Sequence, residues 1–371
     1  MFPTAPPSSA GPRTEIVGWS AIAGVYAGLS AAPAPLAGPP PADGVDLPPA
    51  PLSPADRYVP GGEIARGGMG VIVRATDTLL GREVVLKLLR EELVGRRAAE
   101  RRFLREARIN GRLQHPGVVP VYDVGRFPGG RPFLTMNYVP GRTLDALLAA
   151  RPDPGADRAA LLGAVAGVCE VVAYAHAQGV VHRDLKPANV IVPPAGPVRV
   201  LDWGLAKVLA GARAAADTCP DIDPAGLTAR HGRPPDPGET GHGAAVGTPA
   251  YIAPEQARGG PVDERADVFG LGGLLAAVLT GLPPFTHPDP AAARAAARAG
   301  DLAGALTRLA AAGAGPALVD LAARCLAPDP AARPRDAREV GCALAAILAQ
   351  PAPGPRGRAP GLAAWIGSHF R

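Results

Sequence analysis

Hydrophobic and polar positions divide this chain into a region of alternation and a region of helical spacing. After Tyr58, apolar residues recur at every second position over 71–75 and again over 84–88, which is the spacing of half-buried strands. Similar runs over 118–124 and 132–139 predict two more strands. The Arg- and Glu-rich stretch between these pairs, over 96–113, predicts one helix. We therefore expect a small, mostly β unit here.

Helical spacing of apolar residues takes over after residue 141. Helices are predicted over 143–150, 158–178, 267–279, 291–311, 317–326 and 337–348. Short apolar runs predict strands at 180–181, 190–192 and 198–201. The outline is an α+β protein in which a β-rich lobe precedes a larger helical lobe.

The two ends of the chain differ in composition from its middle. Pro, Ala, Gly and Ser dominate residues 1 to about 57, and Pro and Gly dominate 351–371. Because such segments cannot bury enough apolar surface to fold, we predict a disordered arm and a short tail around one domain over 58–350. Within it we expect an N-lobe over 58–139, a C-lobe over 140–350 and an irregular insertion over 207–246.

Composition also narrows the choice of partners and compartment. The uncharged stretch 16–32 is rich in Gly and Ala and shorter than the ~20 apolar residues of a membrane span, so we expect a linker, not an anchor. The net charge of +5 is spread along the chain, which does not favour a nucleic-acid partner. Widely spaced cysteines argue against a zinc site or a disulfide framework and predict reduced thiols in a cytoplasmic protein. These cysteines are Cys169, Cys219, Cys325 and Cys342.

The run from residue 182 to residue 189, His-Arg-Asp-Leu-Lys-Pro-Ala-Asn, gathers several reactive groups in one short loop. It contains the carboxylate of Asp184, the ammonium of Lys186 and the amide of Asn189. Transfer of a phosphoryl group to a hydroxyl needs a base, a cation and an oxygen ligand for magnesium. This loop offers all three.

Two charged residues in the β-rich region fit the same chemistry. Lys87 follows an alternating strand, where an inward ammonium is unfavourable unless it meets an anion. Phosphates and Glu106, on the predicted helix, would supply such anions. Taken alone, both side chains could instead be solvated surface charges.

The loop sequence H-R-D-L-K-P-x-N resembles the catalytic loop of the protein kinase family, in particular the bacterial serine/threonine kinases of the eukaryotic-like type. The resemblance implies a bilobal fold with ATP bound between the lobes. It also implies that Asp184 orients the acceptor hydroxyl and takes its proton, and that Lys186 neutralises the γ-phosphate. Lys87, set by Glu106, would hold the α- and β-phosphates.

The resemblance extends to the metal and to the triplet Asp202-Trp203-Gly204, which looks like the family's magnesium-binding triplet with Trp in place of Phe. Asn189 and Asp202 would hold Mg²⁺, which prefers hard oxygen ligands. The bulk of Trp203 predicts a restricted swing of this triplet. Asn110 is a second departure, since the family usually has an apolar residue there, and it predicts a less firmly docked helix.

The nucleotide site implied by the resemblance lies mainly in the N-lobe. The stretch 64–72 resembles the family's glycine-rich loop, although Ala65 replaces its first glycine. Met136 would lie beside adenine, and the backbone of 137–139 would hydrogen-bond the base. The expected ATP-binding residues are Ile64, Ala65, Gly67, Gly68, Gly70, Ile72, Val85, Lys87, Met136, Asn137 and Val139.

The segment 247–255 resembles the end of the family's activation segment. Thr248 would hydrogen-bond toward the catalytic loop, as is typical of serine/threonine specificity. Glu255 would form a buried ion pair with Arg333, and Asp267 would brace the backbone of the catalytic loop. All three roles come from the resemblance.

Arg183 precedes Asp184, and in the family such an arginine binds a phosphorylated activation loop. We expect autophosphorylation at Thr240, with Thr218 and Thr228 as less favoured acceptors. A transient homodimer would serve that reaction. The other expected partners are ATP, Mg²⁺ and proteins with Ser or Thr acceptors.

Two other classes of function stay open at this point. A scaffolding pseudokinase would normally lack Lys87, Asp184 or Asp202, all of which are present. A small-molecule phosphotransferase of the same fold would not usually combine Lys186 with a segment like 248–255.

Overall fold

The computed structural model describes residues 52–209, 248–287 and 289–350. Its first part is one helical turn followed by a five-stranded antiparallel sheet with a helix packed on it. In chain order the elements are α1 Pro54–Arg57, β1 Tyr58–Arg66, β2 Gly70–Asp77, β3 Arg82–Leu89, α2 Arg97–Arg112, β4 Val121–Arg126 and β5 Pro132–Asn137. The strand order is β1-β2-β3-β5-β4, so β1 and β4 are the edges.

Alternation along β2, β3 and β5 gives the sheet two apolar faces. The outer face is covered by a cluster around Tyr58. The inner face packs against α2 through Leu89, Phe103, Ala107 and Leu134. Beyond its first residue, β1 is exposed along its whole length, as suits an edge strand.

The second part of the chain is mainly helical, with two small sheets. In chain order its elements are β6 Arg142–Thr143, α3 Leu144–Ala150, α4 Arg158–Ala177, β7 Val180–Val181, β8 Val190–Val192, β9 Arg199–Val200, β10 Lys207–Val208, α5 Pro254–Ala257, α6 Arg265–Thr280, α7 Pro290–Ala299, α8 Ala303–Ala311, α9 Pro316–Cys325 and α10 Ala337–Leu348. The core of this lobe forms where α4 and α10 pack on α6. Every residue of α6 from Ala266 to Leu279 is buried.

This is the α+β, two-lobed architecture expected from the sequence. Two details of the prediction are wrong. The single helix predicted over 291–311 is two helices, because Gly300 takes a positive φ of 69° that ends α7. Residues 54–57, predicted to belong to the arm, instead form α1, and Arg57 pairs with Asp77 at 3.1 Å.

One helix among the described residues, α4, is long and apolar enough to cross a membrane. It packs between α6 and α10 in the core of the helical lobe, and most of its residues are buried there. The uncharged stretch 16–32 lies outside the described residues.

The cysteines in the described part of the chain, Cys169, Cys325 and Cys342, are free. Burial raises the pKa of Cys169 and raises that of Cys325 to about 12. Both thiols are therefore protonated and unreactive at neutral pH. Cys219 lies outside the described residues.

Candidate active site

Strand register places the expected nucleotide-binding side chains of the sheet on one face. Ile72 of β2 pairs with Lys87 of β3, and Val85 of β3 pairs with Met136 of β5. Ala65 of β1 pairs with Ile72 in turn. Because directly paired residues project to the same side of a sheet, these five side chains share the inner face.

The glycine-rich turn joins β1 to β2 above this face. Gly67 N–H donates to the carbonyl of Gly70 at 2.9 Å, which closes the turn. Gly68 has open space around it, and Ile64 is 50% exposed. A Cβ at Gly70 would come within 3.3 Å of the Lys87 side chain, so glycine there lets the lysine lie close beneath the turn.

Residues 137–139, at and after the end of β5, are the ones expected to hydrogen-bond the adenine base through their backbones. Asn137 N–H already donates to the carbonyl of Pro120 at 3.0 Å. Asn137 ends β5 and Val139 follows it, and the base contact of 137–139 stays a prediction. The Asn137 side chain points elsewhere and accepts from the Tyr122 hydroxyl at 3.1 Å.

Lys87 and Glu106 form a buried ion pair between β3 and α2. Burial alone would lower the pKa of Lys87, but the carboxylates of Glu106 and Asp202 outweigh it and hold that pKa above its ordinary value. The second Glu106 oxygen, Oε2, is buried and has no hydrogen-bond partner among the described residues. It lies 2.8 Å from the point where a Cβ on Gly204 would sit, so only glycine allows this approach.

The catalytic-loop candidates converge on the carboxylate of Asp184, which is 8% exposed. Its Oδ2 accepts from Lys186 Nζ at 2.7 Å and from Asn189 Nδ2 at 3.3 Å. Its Oδ1 accepts from the backbone N–H of Thr248 at 3.0 Å and from the Thr248 hydroxyl at 3.1 Å. Lys186 Nζ also contacts that hydroxyl at 2.7 Å, so loop and segment meet at one point.

Asp202 lies between Lys87 of the N-lobe and Lys186 of the C-lobe. Its Oδ1 is 3.7 Å from Lys87 Nζ. Burial acts to raise the pKa of Asp202, but the charges of Lys87, His182 and Lys186 outweigh it, so that pKa lies below its ordinary value. The carboxylate is therefore ionised at neutral pH, as a magnesium ligand must be.

Asn189 supplies the second expected metal ligand. Its amide nitrogen donates to the Asp184 carbonyl at 2.8 Å, which leaves the amide oxygen for a ligand. Among the described residues no group of three His, Cys, Asp or Glu side chains could hold a metal. Two protein oxygens suit Mg²⁺, which completes its shell with phosphate oxygens and water.

Trp203 is fully buried beside the catalytic loop. Its ring centroid lies 4.7 Å from that of His182, and its Nε1–H donates to the Val200 carbonyl at 3.3 Å. Movement of the triplet would break both contacts. The restricted swing expected for this residue stays a prediction.

Asp267 at the start of α6 holds the catalytic loop by its backbone. Its two oxygens accept from the N–H groups of His182 at 2.7 Å and Arg183 at 2.8 Å. His176 of α4 contacts the same carboxylate at 2.9 Å through Nε2. Sequence reasoning missed His176, because nothing in the chain links two residues 91 positions apart.

Glu255 and Arg333 form the expected ion pair at the end of the activation segment. Arg333 NH1 and NH2 each lie 2.8 Å from a different oxygen of Glu255. The arginine side chain has no exposed surface. This bidentate pair fixes α5 to the helical lobe.

Comparison with known proteins decides the family. The sequence profile described as "Protein kinase domain" matches residues 58–343, which is most of the chain. The chain belongs to the protein kinase family.

Its relatives include bacterial kinases of the same kind. It is 40% identical over 240 residues to the DNA damage-responsive serine/threonine-protein kinase RqkA of Deinococcus radiodurans, covering 63% of this chain and 32% of RqkA. It is 36% identical over 239 residues to the serine/threonine-protein kinase PknB of Mycobacterium tuberculosis, covering 64% of this chain and 34% of PknB. A probable serine/threonine-protein kinase of Corynebacterium efficiens is also 36% identical over 239 residues, covering 64% and 32% respectively. This kinase spans about a third of the length of these relatives.

A cluster of three guanidinium groups adjoins the catalytic loop of the kinase. Burial lowers the pKa of Arg183, and the charges of Arg105 and Arg102 on α2 lower it further, while Asp267 opposes them. None of the three arginines forms an ion pair within the described part of the chain. The arginine-rich sequence of α2 did not reveal which two of its arginines act electrostatically on Arg183. Thr240, the expected phosphorylation site, lies outside the described residues.

Proposed function

We propose that this chain transfers the γ-phosphate of ATP to serine or threonine hydroxyls of proteins. The observation that carries the proposal is the position of Asp202, 3.7 Å from Lys87 Nζ and within the electrostatic reach of Lys186. The carboxylate that would bind metal thus lies between the two cations that would bind phosphates. The names of the kinase relatives point to the same activity.

ATP would lie under the glycine-rich turn against the inner face of the sheet. Lys87 would meet its α- and β-phosphates, and Met136 would border the base. Asn189 and Asp202 would hold Mg²⁺, whose charge neutralises the phosphate oxygens when it is bound. All of these groups are supplied by this chain, and the Lys87–Glu106 pair is already formed.

Asp184 would orient the acceptor hydroxyl and take its proton. Its carboxylate is fixed by Lys186 and by Thr248, so little reorganisation is needed when a substrate arrives. Lys186 would bind the transferred phosphoryl group as its charge redistributes. Catalysis by this site is then positioning plus electrostatic stabilisation.

We further propose that Thr240 is autophosphorylated, within a transient homodimer, and that its phosphate binds the arginine cluster. The three guanidinium groups repel one another, and none of them forms an ion pair among the described residues, which favours a bound dianion. A cytoplasmic location and the lack of a nucleic-acid partner stay predictions from composition.

Radiolabelled ATP tests the main proposal. The wild type, incubated with Mg²⁺, [γ-³²P]ATP and casein as a generic acceptor, should label casein and itself. Asp184→Asn should lose about 10³-fold or more of this activity, because the hydroxyl loses its base and its orienting group. Asp320→Asn makes the same chemical change at an exposed site on α9 and should leave the activity unchanged.

Two results would contradict the proposal. Labelling by the wild type no greater than by Asp184→Asn would favour the scaffolding alternative. Labelling of small hydroxylated molecules in a cell extract, with no labelled protein, would favour the small-molecule phosphotransferase.

A further inference from the structure

The peptide that enters the catalytic aspartate is strained. Arg183 has a φ of 71°, in the left-handed region that side chains other than glycine rarely adopt. Such a conformation persists only where its surroundings impose it. Since Asp184 is the next residue, whatever holds Arg183 also sets the direction of the Asp184 side chain.

One side of this strained residue is held from α6. Arg183 N–H donates to Asp267 Oδ1 at 2.8 Å. The following N–H, that of Asp184, donates to His182 Nδ1 at 3.2 Å. These contacts come from the helical core and from the loop itself.

The other side is held from the activation segment. Gln256 Nε2 donates to the Arg183 carbonyl at 2.7 Å, and the Gln256 side chain is buried, with 3% exposure for the residue. Because a peptide unit is planar, fixing the carbonyl of Arg183 and the N–H of Asp184 fixes the whole plane. That plane carries the Asp184 Cα.

Gln256 lies at the point where the end of the activation segment is attached to the helical lobe. It belongs to α5, and the residue before it, Glu255, forms the bidentate pair with Arg333. Thr248, eight residues upstream of Gln256, contacts the Asp184 carboxylate. The segment therefore meets the loop twice, at the aspartate side chain and at its backbone.

We propose that Gln256 is a positioning residue: it holds the Arg183–Asp184 peptide plane so that the Asp184 carboxylate faces the acceptor hydroxyl. Turnover then depends on whether the end of the activation segment is seated on the helical lobe. The inference rests on the proposed phosphoryl transfer. It adds a contact that acts on Asp184 without touching the nucleotide.

Gln256→Met and Gln256→Glu test this role. Methionine keeps the length of the side chain and removes its donor, whereas glutamate keeps the shape and one acceptor oxygen but replaces the donor. Each variant should lower kcat by about 10- to 100-fold, because misplacement of a reacting group by under 1 Å has effects of this size. The KM for ATP should stay within about twofold of the wild type, because no nucleotide contact changes.

Arg158→Met controls for general destabilisation. Arg158, at the start of α4, donates to the carbonyls of Ala312 and Gly313, just after the end of α8. Its loss should lower the midpoint of thermal unfolding and leave kcat unchanged. Titration with a fluorescent ATP analogue should show one nucleotide site per chain in every variant, which separates misplacement from a partly unfolded sample.

Three outcomes decide the matter. A fall in kcat for both Gln256 variants, with KM for ATP and site number preserved, supports the positioning role. The inference is wrong if the wild type transfers phosphate and both Gln256 variants match its kcat. It is also wrong if they lose no more kcat than Arg158→Met does at an equal midpoint of thermal unfolding. In both cases the proposed function stands. Absence of transfer by the wild type would remove both.

Discussion

Two helices of sixteen residues, α2 and α6, support opposite sides of the active site and are built in opposite ways. α6 is apolar and buried from Ala266 to Leu279. α2 is rich in arginine and buries one narrow face, which includes Glu106 and Asn110. Each helix brings one carboxylate into the site, and the surroundings of these carboxylates differ.

Asp267 of α6 is satisfied, since it accepts from two backbone N–H groups and contacts His176. On α2, Glu106 Oε2 and Asn110 Oδ1 are buried and accept no hydrogen bond from the part of the chain that the structure describes. Each such atom opposes docking by about 1–3 kcal/mol. The catalytic loop is thus held by α6, which is firmly fixed. Glu106, the partner of Lys87, lies on α2, which is easier to displace.

The largest expected effect comes from Asp267→Asn on the fixed helix. The new amide group presents a donor to backbone N–H groups, so a buried network loses its acceptor and the free energy of unfolding should fall by about 3–5 kcal/mol. Thermal unfolding measures the loss, with Asp320→Asn on the surface as the matched control. If both substitutions change the free energy of unfolding by the same small amount, α6 is not held more firmly than α2.

The same variant has a defined pH dependence. Burial acts to raise the pKa of Asp267, but the hydrogen bond and charge of His176, with His182 and the Arg183 N–H, outweigh it and hold that pKa below its ordinary value. A lowered pKa contributes stability above the ordinary aspartate value of about 3.9, and that stability is lost as the pH falls through the lowered value. The stabilities of wild type and Asp267→Asn should therefore converge toward acid pH, and parallel curves would contradict this.

Lys87→Met tests the other side of the site. It removes the cation expected to meet the phosphates, so transfer from ATP should fall by about 10²–10³-fold. The fold should persist, because Glu106 can take up a proton once its partner is gone. Arg131→Met removes a cation elsewhere in the N-lobe, where Arg131 donates to the Leu89 carbonyl, and should leave transfer unchanged. Similar transfer by both variants would place ATP somewhere else.

The contrast between these helices also shows what sequence can and cannot predict. The residues of the catalytic loop were predicted because they fall in one local motif, and Lys87 and Glu106 were predicted from an alternating strand and a helix together with the family resemblance. The break at Gly300 was missed because alanine-rich helical spacing continues across it. The contacts made by Gln256 and His176 join residues 73 and 91 positions apart, and no local pattern encodes them.

Asn110→Leu should strengthen the weaker helix. Leucine of similar size removes a buried acceptor that has no partner, so the free energy of unfolding should rise by about 1–3 kcal/mol. Chemical denaturation measures this change. Gln114→Leu places the same side chain at an exposed position just past α2 and should change stability by less than about 0.5 kcal/mol. A loss of stability in Asn110→Leu would show that Asn110 has a favourable role.

The smallest effect is expected from the arginines of α2. Replacing Arg102 and Arg105 together by alanine relieves repulsion around Arg183, so the unphosphorylated protein should gain a few tenths of a kcal/mol in stability. The same variant should lose the response of transfer to autophosphorylation, measured before and after incubation with Mg-ATP. Equal activation of variant and wild type by autophosphorylation would show that the arginine cluster does not bind the phosphate.

Hydrogen–deuterium exchange of the wild type, read separately over α2 and α6, compares the two helices most directly. Without nucleotide, the amides of α6 should exchange slowly and those of α2 much faster, because exchange follows the free energy of local opening. Mg²⁺ with a non-hydrolysable ATP analogue should slow exchange in α2, through Lys87 and Glu106, and leave α6 unchanged. Equal protection of both helices without nucleotide, or an α2 that does not respond to it, would contradict the account.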